Sequence, residues 1–145
     1  MDIESILAVK GREVRTIRPE ATVAEAVRRM RDEAVGALVV SDDDVRIHGI
    51  VSERGIMHAM ADRGVAVMNE RIGDMMTKEV FTCFPEDRVS AIMAAMTHRR
   101  IRHIPVVDRQ GRLCGIISIG DVVKYRLDEI QREADAMREY ISGTR

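Results

Sequence analysis

The chain has 145 residues, no tryptophan, two phenylalanines and two tyrosines, so aromatics make up only 3% of it. All four, Phe81, Phe84, Tyr125 and Tyr140, fall in the second half. That excludes a base-stacking platform for single-stranded nucleic acid, which needs several aromatics on one face. Charge of one sign is lacking too: 23 Lys plus Arg stand against 24 Asp plus Glu, a formal net charge of -1. No global field therefore draws in a polyanion or an acidic membrane, and neither nucleic acid nor membrane is expected as a partner. Two cysteines, Cys83 and Cys114, are too few for a disulfide framework. Their apolar surroundings mark them as packing residues of a reduced, cytoplasmic protein. Uninterrupted apolar runs are only a few residues long, and the N-terminal MDIESILAVKGREV lacks a basic start followed by an apolar stretch. Neither a membrane span nor a signal peptide is expected.

Catalytic signatures are also missing. There is no GxGxxG fingerprint, no Walker loop and no G-x-S-x-G nucleophile turn. His98 and His103 have no Cys or acidic companions at metal-ligand spacing, and His48 and His58 are isolated, so no metal site is expected. Acidic clusters such as Asp42–Asp44 sit in a turn, where solvation suits the turn better than acid–base chemistry. The sequence supports a non-enzymatic reading.

What is present is a repeat. Residues 19–57 and 85–123 align without a gap at a constant shift of 66. Pro19, Glu20, Val23, Met30, Val40, Asp42, Arg46, Gly49, Ile50 and Ser52 meet identical residues at Pro85, Glu86, Val89, Met96, Val106, Asp108, Arg112, Gly115, Ile116 and Ser118. Upstream, DIESIL resembles RIGDMM if the first copy carries about three extra residues around Ala8–Gly11. The chain is a tandem duplication, divided as 1–66, 67–125 and a helical extension over 126–145.

Each copy reads as strand, helix, strand, strand, helix. After a short strand around Val14–Ile17, Thr22-Val-Ala-Glu25 forms a capping box, and the helix runs to about Glu33 with Val23, Ala26, Val27 and Met30 on one face. Strands follow at Gly36–Val40 and Ile47–Val51, and Ser52 opens a helix that Gly64 closes. The second copy repeats this with a helix over Arg88–His98 and strands at Ile104–Val107 and Leu113–Ile117. Copies of this size are marginal alone, and the two are expected to pack through their sheets around one shared core. From about Val122 a long helix runs to Ser142-Gly143. Leu127, Ile130, Ala134, Met137 and Ile141 form an apolar stripe on it, to be covered by the chain's own domain or by a partner chain.

With Pro-x-x-x-Val opening the first helix, IRHIPVVD (Ile101–Asp108) and GIISIGDVV (Gly115–Val123), the duplicated sequence resembles the cystathionine-β-synthase (CBS) domain, and the pair resembles a Bateman module. The resemblance runs from Ile3 to about Tyr125. It implies an α/β fold of two repeats related by pseudo-twofold symmetry, plus the C-terminal helix. It also implies a regulatory ligand containing adenosine (AMP, ADP, ATP, NAD(H) or S-adenosylmethionine) held between the repeats, a homodimer, and an effector protein not identifiable from sequence. A dimerising scaffold that kept the fold and lost the ligand is the alternative, motivated by Gly55 and the C-terminal stripe.

Site residues follow from the residues and the resemblance together. Ser118-Ile-Gly-Asp121 joins a strand to a helix N-terminus that favours an anion, Gly120 permits close backbone approach, and Asp121 is expected to accept bonds from ribose hydroxyls. A helix cap by Ser118 and Asp121 is the structural alternative. Across the repeats the resemblance sets a wall of Lys10–Thr16 (Lys10, Arg12, Val14 and Thr16) with Val35, Gly36 and Ala37, small enough to admit a flat purine or simply packed as strand. Lys10 and Arg12 are candidate phosphate contacts, as are Arg102 and His103 near Arg99 and Arg100, with a solvated basic surface as the alternative. In the first copy Ser52 and Arg54 remain, but Gly55 stands where an acidic residue is usual, so the two clefts are expected to differ.

Overall fold

The computed structural model describes residues 1–143; the last two residues of the expected extension lie outside the described residues. In chain order the elements are α1 (Ile3–Lys10), β1 (Thr16–Ile17), α2 (Val23–Glu33), β2 (Ala37–Val40), β3 (Gly49–Ser52), α3 (Glu53–Arg63), α4 (Ile72–Met75), α5 (Val89–Arg99), β4 (His103–Val107), β5 (Leu113–Ser118) and α6 (Ile119–Gly143). A 3-10 turn over Val65–Asn69 leads into α4. Among the described residues no helix is long and apolar enough to cross a membrane.

Both copies use one register. β1 lies parallel to β2 with Ile17 opposite Val40, and β2 runs antiparallel to β3 with Ala37 opposite Ser52. Sixty-six residues later His103 of β4 lies opposite Ser118 of β5, and Cys83 bridges Val106 in parallel. That single bridge is all that forms where the second copy was expected to carry its first strand. Proline explains the loss. In the first copy Val39 N–H donates to the Arg15 carbonyl at 3.1 Å; its counterpart Pro105 has no N–H to offer the chain near Phe81.

The helices start and stop as their ends require. Thr22 Oγ1 accepts from Glu25 N, and Ser52 Oγ accepts from Gly55 N, each satisfying an otherwise unpaired first-turn amide. α2 and α5 both end on a left-handed residue, Ala34 (φ 54°) and Arg100 (φ 55°), at equivalent positions of the repeat.

The segment before each copy packs on the other copy. Ile3 N and Glu4 N donate to the carbonyls of Asp87 and Pro85 at 2.9 Å, while Ile72 N and Gly73 N donate to Ala21 and Pro19 at 2.8 and 2.9 Å. These are the same bonds, shifted by one repeat and exchanged between halves. Two glycines make room for the exchange. A Cβ on Gly115 would stand 2.8 Å from Leu7 Cδ2, and one on Gly49 would stand 2.5 Å from Met76 Sδ and 2.7 Å from the Thr77 carbonyl oxygen.

This exchange corrects the expectation of one core shared through the sheets. Most of the buried side chains fall into two clusters. Ile3, Ile6 and Leu7 complete that of the second copy, around Val89, Ile92, Met96, Ile104, Val106, Ile117 and Val122. Ile72, with Met75 and Met76 packed against it, completes that of the first copy, around Val23, Ala26, Met30, Leu38, Val40, Val51 and Ile56. Each half thus fills its interior with a helix contributed by the other half's leading segment. Cys83 is buried in the second cluster, where desolvation pushes its thiol to about 12, and burial raises Cys114 as well. Both are packing residues with little thiolate at neutral pH.

Gly49→Ala is expected to lower stability by about 1–3 kcal/mol, because the Thr77 backbone has to move. Gly115→Ala should cost less, since the Leu7 methyl groups it meets can rotate away. Urea denaturation of the two variants checks this; equal losses would contradict the backbone account.

Candidate functional site

Two clefts open between the copies. The first, about 370 Å³, is lined by Lys10, Gly11, Glu13 and Arg15, by Ala34–Ala37, and by His103, Ile116, Ser118 and Asp121. The second, about 590 Å³, is its counterpart: Ser52–Gly55 and His58 face Thr77, Glu79–Phe81 and Arg99–His103. In each, the N-terminus of the helix that ends one copy (α3 or α6) faces a wall from the other.

Asp121 is the most tightly held group in the first cleft. Its backbone N–H donates to Ser118 Oγ at 3.1 Å, and Ser118 N–H donates to Asp121 Oδ2 at 2.9 Å. The pair is a reciprocal capping box at the start of α6. Lys10 Nζ donates to the same Oδ2 and, at 2.8 Å, to the Ile116 carbonyl. Burial raises the Asp121 pKa, but the Lys10 ammonium and the Ser118 amide outweigh it, so the carboxyl titrates below its ordinary 3.8. Oδ1 accepts no hydrogen bond among the described residues. Lys10 reaches this point because α1 is longer than α4 by the additional turn seen in sequence near Ala8–Gly11.

Gly36 and His103 lie where the two clefts meet, and each lines both. A Cβ on Gly36 would come within 3.1 Å of His103 Cε1 and of Glu53 Oε1. A larger residue here would therefore press on the protein's own His103 and Glu53 side chains, before any ligand is considered. Desolvation holds the His103 imidazole below its ordinary 6.5; Glu53 and Asp121 act against this, and Lys10 and Arg102 reinforce it. Burial thus disfavours the charged imidazolium in the unliganded cleft.

The second cleft carries the charge that the first neutralises internally. Lys10 is paired with Asp121, and Arg15 with Glu13 and Glu33. In the second cleft Arg54, Arg99, Arg100 and Arg102 form no ion pair among the described residues; Arg99 instead lies 4.2 Å from the centre of the Phe81 ring. Gly55 keeps the cap, its N–H donating to Ser52 Oγ at 3.0 Å, but supplies no carboxylate. The expected asymmetry thus takes a definite form: an acid with a lysine latch on one side, four arginines on the other.

Of the fourteen residues singled out in sequence, ten line a cleft: Lys10, Val35, Gly36, Ala37, His103, Ser118 and Asp121 in the first, and Ser52, Arg54 and Arg102, again with Gly36 and His103, in the second. Arg12, Val14, Thr16 and Gly120 line neither. Extended chain alternates its side chains, so Glu13 and Arg15 face the cleft while Arg12 turns back to Glu4 on α1 and the Thr16 hydroxyl bonds Asp44. Alternation counted from Lys10 selects Arg12, Val14 and Thr16; the left-handed Gly11 (φ 101°) that follows α1 lies at the break, and beyond it Glu13 and Arg15 face the cleft instead. At Gly120 a Cβ would meet nothing closer than Ser118 Oγ at 3.6 Å, so the fold does not require glycine there. Among the described residues no group of three or more His, Cys, Asp or Glu is placed to hold a metal ion.

Lys10→Met should move the Asp121 midpoint upward, read from its carboxyl signal by NMR. The stability that the wild type holds over this variant is present above pH 3.8 and is lost as pH falls through the depressed Asp121 value. An unchanged midpoint would show that the latch is not populated in solution.

Fold and clefts together define a tandem α/β pair built around two inter-repeat sites. The CBS domain model matches residues 7–62 and 72–128, and the chain belongs to the CBS domain family. It is similar to a CBS-domain containing protein of Agrobacterium tumefaciens, at 40% identity over 87% of this chain and 99% of that one, with a TM-score of 0.83. A CBS domain protein of Pyrobaculum aerophilum complexed with AMP shares 27% identity over 83% of this chain and 89% of that one, with a TM-score of 0.72. A mitochondrial CBS domain-containing protein, CBSX3 of Arabidopsis thaliana, is 38% identical over 126 residues, 84% of this chain but only 61% of the relative.

Proposed function

We propose that the protein is a non-enzymatic regulatory module that binds an adenosine nucleotide between its repeats and reports occupancy to a partner protein. The observation that carries this reading is the first cleft. A carboxylate at the start of α6, with one oxygen free, faces the small Gly36-Ala37 wall of the other copy, and a relative at 27% identity holds AMP. Asp121 suits the hydroxyl pair of a ribose, because a carboxylate accepts two hydrogen bonds at once. Lys10, released from Asp121 as the ribose takes its place, is then available to a phosphate. The four arginines of the second cleft suit a longer phosphate chain, which favours ATP over AMP on that side.

A ligand shifts the protein only by binding one state better than another. His103 and Gly36 line both clefts, so occupancy of either presses on the residues that shape the other. The ligand-free scaffold is favoured by one observation, that Lys10 already satisfies the carboxylate. In that case Asp121 and Ser118 serve only to cap α6.

Calorimetric titration with AMP, ATP and NAD separates the two readings. Asp121→Ala should weaken nucleotide binding about tenfold or more through loss of charged hydrogen bonds, and should cost about 1 kcal/mol of stability through the lost cap. Arg102→Ala should weaken ATP more than AMP. Absence of heat with all three ligands, or an Asp121→Ala variant that loses stability but not affinity, would favour the scaffold.

A further inference from the structure

Helix α6 leaves its own domain part way along. Val122 is buried and Tyr125 packs against the second core, and residues 127–143 extend beyond them. At 1.5 Å per residue this is a projection of about 25 Å. A helix of that length alone in water is marginal. This one also exposes large apolar side chains: Leu127 is 60% exposed, Ile130 45% and Met137 60%.

The spacing of those residues is informative. Val123, Leu127, Ile130, Ala134 and Met137 follow at steps of 4, 3, 4 and 3, and the next step of 4 reaches Ile141. The first four steps average 3.5 and all five 3.6, so these residues keep to one face along the whole projection and alternate 4 and 3 as the a and d positions of a paired helix do. Ala134 at the middle of the seam lets two backbones approach closely.

We propose that α6 pairs with α6 of a second copy of this chain as a parallel two-stranded coiled coil, in register. The flanking charges select both occupant and direction. Glu133 precedes a seam residue and Arg138 follows one, and in a parallel pair these two positions face each other across the seam. Twofold symmetry makes the contact twice. An antiparallel pair setting Ile130 against Ala134 would bring Glu133 against Glu133 and Lys124 against Arg138, both repulsive. Neither partner of the parallel pairing is committed elsewhere: Glu133 makes no ion pair among the described residues, and Arg138 has only a 3.7 Å contact with Asp135. The coil would bring two CBS pairs together at their second copies.

Sedimentation equilibrium of the full chain at low salt tests this. The wild type is expected to be a dimer. Leu127→Glu combined with Met137→Glu places four carboxylates in the seam and should weaken it by about a hundredfold or more. Glu133→Arg and Arg138→Glu should each weaken it about tenfold, and the double reversal should restore it. All these side chains are exposed, so the urea midpoint of the two cores should stay close to wild type, and circular dichroism should lose no more than the helical signal of residues 127–143. A monomeric wild type, a dimer indifferent to the seam variant, or charge reversals that do not rescue one another would each overturn the proposal. The nucleotide titration is independent of this outcome, because Asp121 and the arginine cleft lie outside the seam.

Discussion

The exchange of leading segments between the two copies is the constraint on which the rest depends. Each half completes its interior with a short helix that precedes the other half in sequence, α1 on the second copy and α4 on the first. Backbone hydrogen bonds fix the exchange at both ends, Ile3 to Asp87 and Ile72 to Ala21, and Gly115 and Gly49 leave the room it needs. Since neither interior is filled without the other half's segment, the copies are held at a fixed separation even though they do not share one hydrophobic cluster. That separation is what leaves two clefts open between them.

The same exchange explains why the clefts differ in chemistry. The longer α1 ends at Lys10, which reaches across to Asp121, whereas the shorter α4 ends before any such contact. On the other side Gly55 replaces the acid, and Arg102-His103 replace Gly36-Ala37 on the wall. One cleft is therefore internally neutralised, and the other keeps four arginines without an ion pair among the described residues. His103, whose imidazole burial pushes below its ordinary value, is the side chain through which they touch.

The conformational demands of the repeat are met with unequal residues. Ala34 and Arg100 take the same left-handed geometry without glycine, a strain of roughly 1–2 kcal/mol at each. Both line a cleft, Ala34 the first and Arg100 the second. Pro105, by contrast, removes one hydrogen bond, and with it a strand, from the second sheet. These are local departures that a duplicated fold absorbs because its packing is repeated.

The sequence by itself determined the duplication, the strand-helix-strand-strand-helix core of the first copy, the buried faces of its helices and the family, because these rest on spacing: a shift of 66, periods of two and of three to four, and caps at fixed offsets; it did not show that the leading segments fold as α1 and α4. It also marked Asp121, Gly36 and Arg102 as residues that face a cleft. Several points were decided only in the folded chain. The exchange of α1 and α4 depends on contacts between segments more than sixty residues apart, which no local pattern encodes. The side of the chain that Arg12 and Glu13 face depends on where extended structure begins. Whether His103 carries charge depends on how deeply two copies bury it. Composition likewise put the net charge near zero, but only tertiary structure paired Lys10 with Asp121 and left the arginines of the second cleft free, since neutrality of a chain says nothing about which charges end up within reach of one another.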